Sequence, residues 1–155
     1  HYTIPPGTTA GELHDELSVI GAKMLVEAID CLHALRPGIK QAEEGATHAG
    51  KINREDGLLD FKKPADELVN LIHGLSPVPG AYFETRGMTV KVFKAEAEDV
   101  PEGLESGIVA DNNFLIACGD GTRGLRPLLV QKSGKKPMTL KDFLNGNRFE
   151  VGDSI

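Results

Sequence analysis

Two prolines separated by one residue, Pro77 and Pro79, divide this chain into unlike halves. Each lacks an amide hydrogen and holds φ at about −65°, so no helix runs through them. Before them, Leu68, Leu71, Ile72 and Leu75 recur at helical spacing, and Pro64 suits the first turn of that helix. Gly74 and the proline pair are expected to terminate it. After them, Ala81–Thr85 and Thr89–Glu96 read as strands joined by Arg86-Gly87, a turn dipeptide. The segment Ile72–Ala95 is therefore a helix stop followed by a β-hairpin.

Three more strand candidates follow: Gly107–Asp111, Phe114–Cys118 and Leu125–Gln131, with Asn112-Asn113 as a turn. Pro127 inside the last implies an edge or a bulge. Thr139 to Asp142 caps a short helix that is expected to end before Gly146. Five short strands at this spacing suit a small OB-like β-barrel. The expected fold class is α+β: an N-terminal helix and linker, then a small OB-like barrel with two short helices.

The N-terminal half begins extended, because Pro5-Pro6-Gly7 forbids a helix there. Thr9-Ala10-Gly11-Glu12 fits a capping box, with Thr9 as N-cap and Glu12 reaching back to it. From Leu13 the apolar stripe continues through Leu17, Ile20, Met24, Ala28, Leu32 and Leu35 until Pro37-Gly38. A helix over Thr9–Leu35, about 27 residues, would be roughly 40 Å long. Its stripe has to pack on something, and the strands need what little else the chain offers. It reads as the last helix of a domain that is mostly absent, or as a surface for self-association. Residues 39–57 have no clear period and read as a linker.

The cysteines, Cys31 and Cys118, make no disulfide framework and fit a reduced, cytoplasmic setting. No apolar run is long enough to span a membrane. The first residue is His1, which fits a processed or partial chain. Net charge is −6. Residues 1–85 carry 13 acids and 7 bases, whereas residues 86–155 carry ten of each. Within that second half, residues 123–148 hold seven bases against Asp142 alone. Screening confines such fields to about 10 Å, so a local cationic patch can hold an anion on an acidic chain.

Motifs for chemistry are few. Gly119-Asp120-Gly121-Thr122-Arg123-Gly124 spells G-x-G-x-x-G, but a strand rather than a helix follows, which makes it a turn and not a dinucleotide site. Cys31 and His33 are two apart on a helix and do not face one another. His14, His48 and His73 have no partner at metal-ligand spacing. No serine sits on a nucleophile elbow, and the paired carboxylates lie in polar surroundings. The basic groups Lys51, Arg54, Lys91, Lys94, Lys135 and Lys136 are the best chemical signal. They read either as solubility charges or as phosphate contacts that would position a nucleic acid without reading its sequence.

Several blocks, in order over nearly the whole length, resemble the methionyl-tRNA formyltransferase family. Thr8 to Asp15 resembles the start of the late helix of that family's formyl-transfer domain. Glu43 to Ile52 resembles its inter-domain linker, and Leu58-Leu59-Asp60-Phe61 the linker's end. Ile72 to Pro77 with Pro79-Gly80-Ala81 resembles the start of the C-terminal domain, where Arg is usual at the His73 position. Val90 to Ala95, Gly119-Asp120-Gly121 and Gly134 to Met138 complete the series.

The resemblance implies transfer of a formyl group from 10-formyltetrahydrofolate to the amino group of methionyl-initiator tRNA by an Asn, a His and an Asp. It places the motifs that carry those three residues upstream of this chain, in a missing N-terminal catalytic domain. It divides the chain into residues 1–36, the end of the Rossmann-like domain; 37–57, the linker; and 58–155, the OB-like domain. It assigns Lys51, Arg54, Lys91, Lys94, Lys135 and Lys136 to the tRNA backbone. The chain alone is then expected to be inactive, with no cofactor of its own. Formyltetrahydrofolate dehydrogenases, sugar formyltransferases and a standalone binding domain are the alternatives.

Overall fold

The computed structural model of the chain describes residues 1–34, 38–101, 103–119 and 121–155. The first helix, α1 (Ala10–Asp30), starts at the expected capping box: the Glu12 N–H donates to the Thr9 hydroxyl, and the Thr9 N–H donates to the Glu12 carboxylate at 2.8 Å. It is shorter than expected. A 3₁₀ turn at Leu32–Ala34 succeeds it, and Leu35 and Pro37, placed at its end by the sequence reading, lie outside the described residues. No residue of α1 is buried.

A 3₁₀ turn at Glu55–Gly57 brings the chain onto the second half of the molecule. The next helix, α2 (Ala65–Leu75), buries Ala65, Leu68, Ile72, His73 and Leu75. It runs through Gly74, which therefore does not end it. The stop falls at Ser76, where the backbone turns extended ahead of the two prolines.

Five antiparallel strands follow: β1 (Ala81–Thr85), β2 (Met88–Asp99), β3 (Ile116–Cys118), β4 (Arg123–Lys132) and β5 (Met138–Thr139). Their order is β1-β2-β4-β3, with β5 also on β4. The sheet curls into a half-barrel, the core of a small OB-like α+β domain. The final helix, α3 (Leu140–Gly146), is capped by Thr139, whose hydroxyl accepts from the Asp142 N–H.

Pro127 lies in β4, a central strand, so it marks a bulge and not an edge. Opposite it the pairing slips between Val92 and Ala95, which leaves Pro127 across from Ala95. A bulge tolerates the missing amide hydrogen. The expected strand at 107–111 does not form a ladder. Gly107 takes φ +84°, and Ile108 and Val109 make isolated bridges to Ser154 and Ile116. The short β5 was not expected, since two residues carry no period.

The core lies between α2, α3 and the concave face of the sheet. Phe83, Phe114 and Phe143 are fully buried with Leu68, Ile72 and Ile116. Phe149 joins them, its ring centre 4.5 Å from that of Phe114. Burying such side chains contributes roughly 1.5–3 kcal/mol each. The C-terminal segment closes one side by backbone pairing, Ile155 N–H to the Gly107 carbonyl and Gly152 N–H to the Val109 carbonyl. Among the described residues, no helix is long and apolar enough to cross a membrane.

Candidate nucleic-acid interface

Strand register assembles the cationic site. Tyr82 on β1 pairs with Lys91 on β2, and Lys91 pairs with Gln131 on β4. Directly opposed residues share a face, so these three side chains form a row across three strands. The flanking segment reaches the same row from the side. Leu58 bridges to Tyr82, and the Leu59 N–H donates to the Tyr82 carbonyl at 2.8 Å. This pairing sets Arg54 over the Tyr82 ring, its guanidinium carbon 5.5 Å from the ring centre. A cation over an aromatic face is attracted by the ring quadrupole.

The row borders a cleft of about 590 Å³ that Ser133 and Gly134 also line. Arg54 and Lys91 line it, and no acidic residue does among the described residues. On a chain of net charge −6 this is a local reversal of sign. Gly80 allows the close approach that directs Lys91. It takes φ +83°, and a Cβ there would meet Phe93 at 3.2 Å and the Lys91 chain at 3.3 Å. The Lys91 ammonium then donates to the Pro79 carbonyl at 2.6 Å. An ammonium has three donors, so two remain for a ligand.

The loop after β4 is tied to the same row. The Gln131 amide donates to the Lys135 carbonyl at 2.7 Å, and the Lys135 N–H donates to the Lys132 carbonyl at 3.0 Å. Lys135 and Lys136 are both exposed. Lys51 is exposed three residues ahead of Arg54.

Lys94 is diverted. It lies in the irregular part of β2 beside Phe93, and its ammonium is 3.5 Å from the Glu12 carboxylate of α1. Two other bases of the cationic segment are also engaged. Arg126 forks between Glu98 and Asp111, with 2.7 Å to the latter, and Arg123 pairs with Asp66. The Arg126 guanidinium holds the Glu98 carboxyl below its ordinary range. Opposing burial, its hydrogen bonds also keep Asp111 low. These pairs bind the β2–β4 end of the barrel together and leave neither arginine for a ligand.

The sequence reading missed Tyr82, Gln131 and Ser133 as site residues. Cross-strand register is what brings them to the cleft, and no local motif encodes it. His73 is buried in the last turn of α2 and accepts from the Ala95 N–H through Nε2 at 3.4 Å. Burial lowers its pKa, and the Lys94 charge lowers it further. Among the described residues, no group of three or more His, Cys, Asp or Glu side chains is placed to hold a metal ion.

Among the described residues the fold is thus a helix, an irregular segment and a small OB-like α+β half-barrel that carries a cationic cleft. The profile described as "Formyl transferase, C-terminal domain" matches residues 51–148, and the chain belongs to that family. Its relatives include the methionyl-tRNA formyltransferase of Brucella ovis, 43% identical over 151 residues that make up 94% of this chain and 48% of the relative. The methionyl-tRNA formyltransferase of Brucella anthropi is 43% identical over 149 residues, covering 92% and 47%. The chain thus spans about half the length of the curated relatives it matches.

Proposed function

We propose that this chain is the tRNA-holding part of a methionyl-tRNA formyltransferase, working in the cytoplasm. In this reading residues 1–36 complete the formyl-transfer domain, 37–57 link, and 58–155 hold the initiator tRNA. The name carried by relatives at 43% identity is the observation that carries the reading. The cationic cleft supports it, because Arg54 and Lys91 offer a polyanion two charges from adjacent strands and turns. Lys135, Lys136 and Lys51 extend that surface. Lys94 belongs to the proposed contact set only if its pairing with Glu12 opens.

No Asn-x-His or Asp-Thr-Gly pattern occurs in this sequence, so nothing here fits the folate co-substrate or the transfer step. The chain's own part is to bind and orient. α1 fits the role of a helix shared with a catalytic domain. Leu17 and Met24 lie on one side of it and Leu25, Val26 and Ile29 on others, all exposed. A helix apolar on most sides is built for burial in a larger core.

Titration with initiator tRNA at low and moderate salt tests this. Binding should weaken steeply with salt, and Lys135→Ala with Lys136→Ala should lower the log–log slope by roughly 1.5 to 2. Absent binding, or binding indifferent to salt, overturns the tRNA reading. An unchanged slope in the double variant removes the loop from the surface.

A further inference from the structure

The cleft beside Tyr82 is far larger than a phosphate requires, and its volume falls in the range that encloses small organic groups. Its chemistry is also layered. The Arg54 guanidinium is set over the Tyr82 ring, its central carbon 5.5 Å from the ring centre, so a planar cation and an aromatic ring border the same cleft. Nucleic-acid bases stack on such guanidinium planes as readily as on aromatic rings. Lys91, directed by Gly80 and the Pro79 carbonyl, supplies a point charge in the neighbouring register position. Gln131 occupies the next position and uses its amide N–H on Lys135, which leaves its oxygen without a partner among the described residues. One planar cation, one point cation and one amide acceptor therefore line a single slot, together with Ser133.

We propose that this slot receives one nucleotide of an RNA strand turned out of its stack. The base lies on the Arg54 plane, backed by Tyr82; its phosphate meets Lys91; and Gln131 accepts from an exocyclic amino group. The inference rests on the tRNA reading for the identity of the strand but not for the chemistry of the slot. A helical backbone alone would call for charges along a surface. It would not need a planar cation held over a ring at the mouth of a cleft.

The test compares two RNA hairpins of equal charge, one fully paired and one carrying a single-nucleotide bulge, titrated against the full chain. The bulged hairpin should bind on the order of tenfold tighter, the range of one stacked base. Arg54→Lys keeps the charge and removes the plane, so it should abolish the preference while binding of the paired hairpin persists. Ser133→Trp should block the slot and also remove the preference, and Lys91→Ala should weaken both hairpins. Equal binding of the two hairpins overturns the slot, as does a preference that survives Arg54→Lys.

Initiator tRNA, titrated in parallel, separates the two readings. Salt-dependent tRNA binding without a bulge preference leaves the tRNA reading and removes the slot. A bulge preference without tRNA binding does the reverse. Failure to bind any RNA overturns both.

Discussion

The helices α1 and α2 both carry apolar residues at helical spacing and meet opposite fates. In α2, Leu68 and Ile72 are fully buried against the concave face of the sheet. In α1, Met24 is 63% exposed and Leu32, just past its end, 68%. Neither propensity nor capping explains the contrast, since α1 has the better N-terminus. The difference is the partner. The strands wrap the stripe of α2, whereas α1 touches the rest mainly through its first turn, by Gly11 N–H to the Ser76 carbonyl at 2.9 Å and by Glu12 to Lys94. A stripe shows that a helix needs a partner and leaves open which part of the protein supplies it.

The largest test of this contrast is truncation on each stripe. Leu68→Ala should cost about 2–5 kcal/mol in urea unfolding. Met24→Ala should change stability by less than about 0.5 kcal/mol. Comparable losses would mean that α1 has a partner in solution, and a concentration dependence would identify it as a second copy.

The thiols give a second measurement. Cys31, at the end of α1, is exposed, whereas Cys118 is buried in β3, and that burial pushes its pKa up to about 11. At pH 7.5 that leaves on the order of one thiolate in a few thousand at Cys118, besides denying it access. Alkylation of the native chain should therefore label Cys31 and spare Cys118 until unfolding. A Cys31 as slow as Cys118 would show the end of α1 to be covered.

The smallest expected effect concerns His73, where α2 meets β2 close to the foot of α1. Its folded pKa lies below its ordinary value, so the unfolded chain binds more protons. Stability from the neutral ring is complete above about pH 6.5 and falls as pH drops through the folded pKa. Lys94 opposes protonation, while Glu12 and Glu96 favour it. The thermal midpoint should decline from pH 7 to 5, and less so in His73→Gln, whose amide oxygen accepts from Ala95 without titrating. Identical declines would place the pH sensitivity elsewhere.

Where local chemistry decides the structure, the sequence was legible. The capping box at Thr9 and Glu12, the Arg86-Gly87 hairpin and the stop ahead of Pro77 each follow from residues adjacent in the chain. Pairing between distant segments was less legible. Ile108 and Val109 look like a strand by composition, yet they find single bridges because Gly107 bends the chain and the C-terminal segment takes the backbone hydrogen bonds of Val109, while Ile108 bonds to Glu105 and Ala117. Lys91 and Lys94 both read as free strand lysines, yet the folded chain gives one the Pro79 carbonyl beside the cleft and the other Glu12 of α1. Arg123 and Arg126 look free by the local excess of positive charge. Acids from β2, α2 and the Asp111 turn engage them, and only the folded sheet brings those acids within reach.

The path between α1 and the barrel has one further consequence. The excursion that contains α1 leaves at Gly11 beside Ser76 and rejoins at Leu59 beside Tyr82, both feet on one short stretch around the two prolines. The excursion therefore begins and ends at one place on the half-barrel, so whatever packs on α1 is tethered beside the two prolines from both sides of the chain.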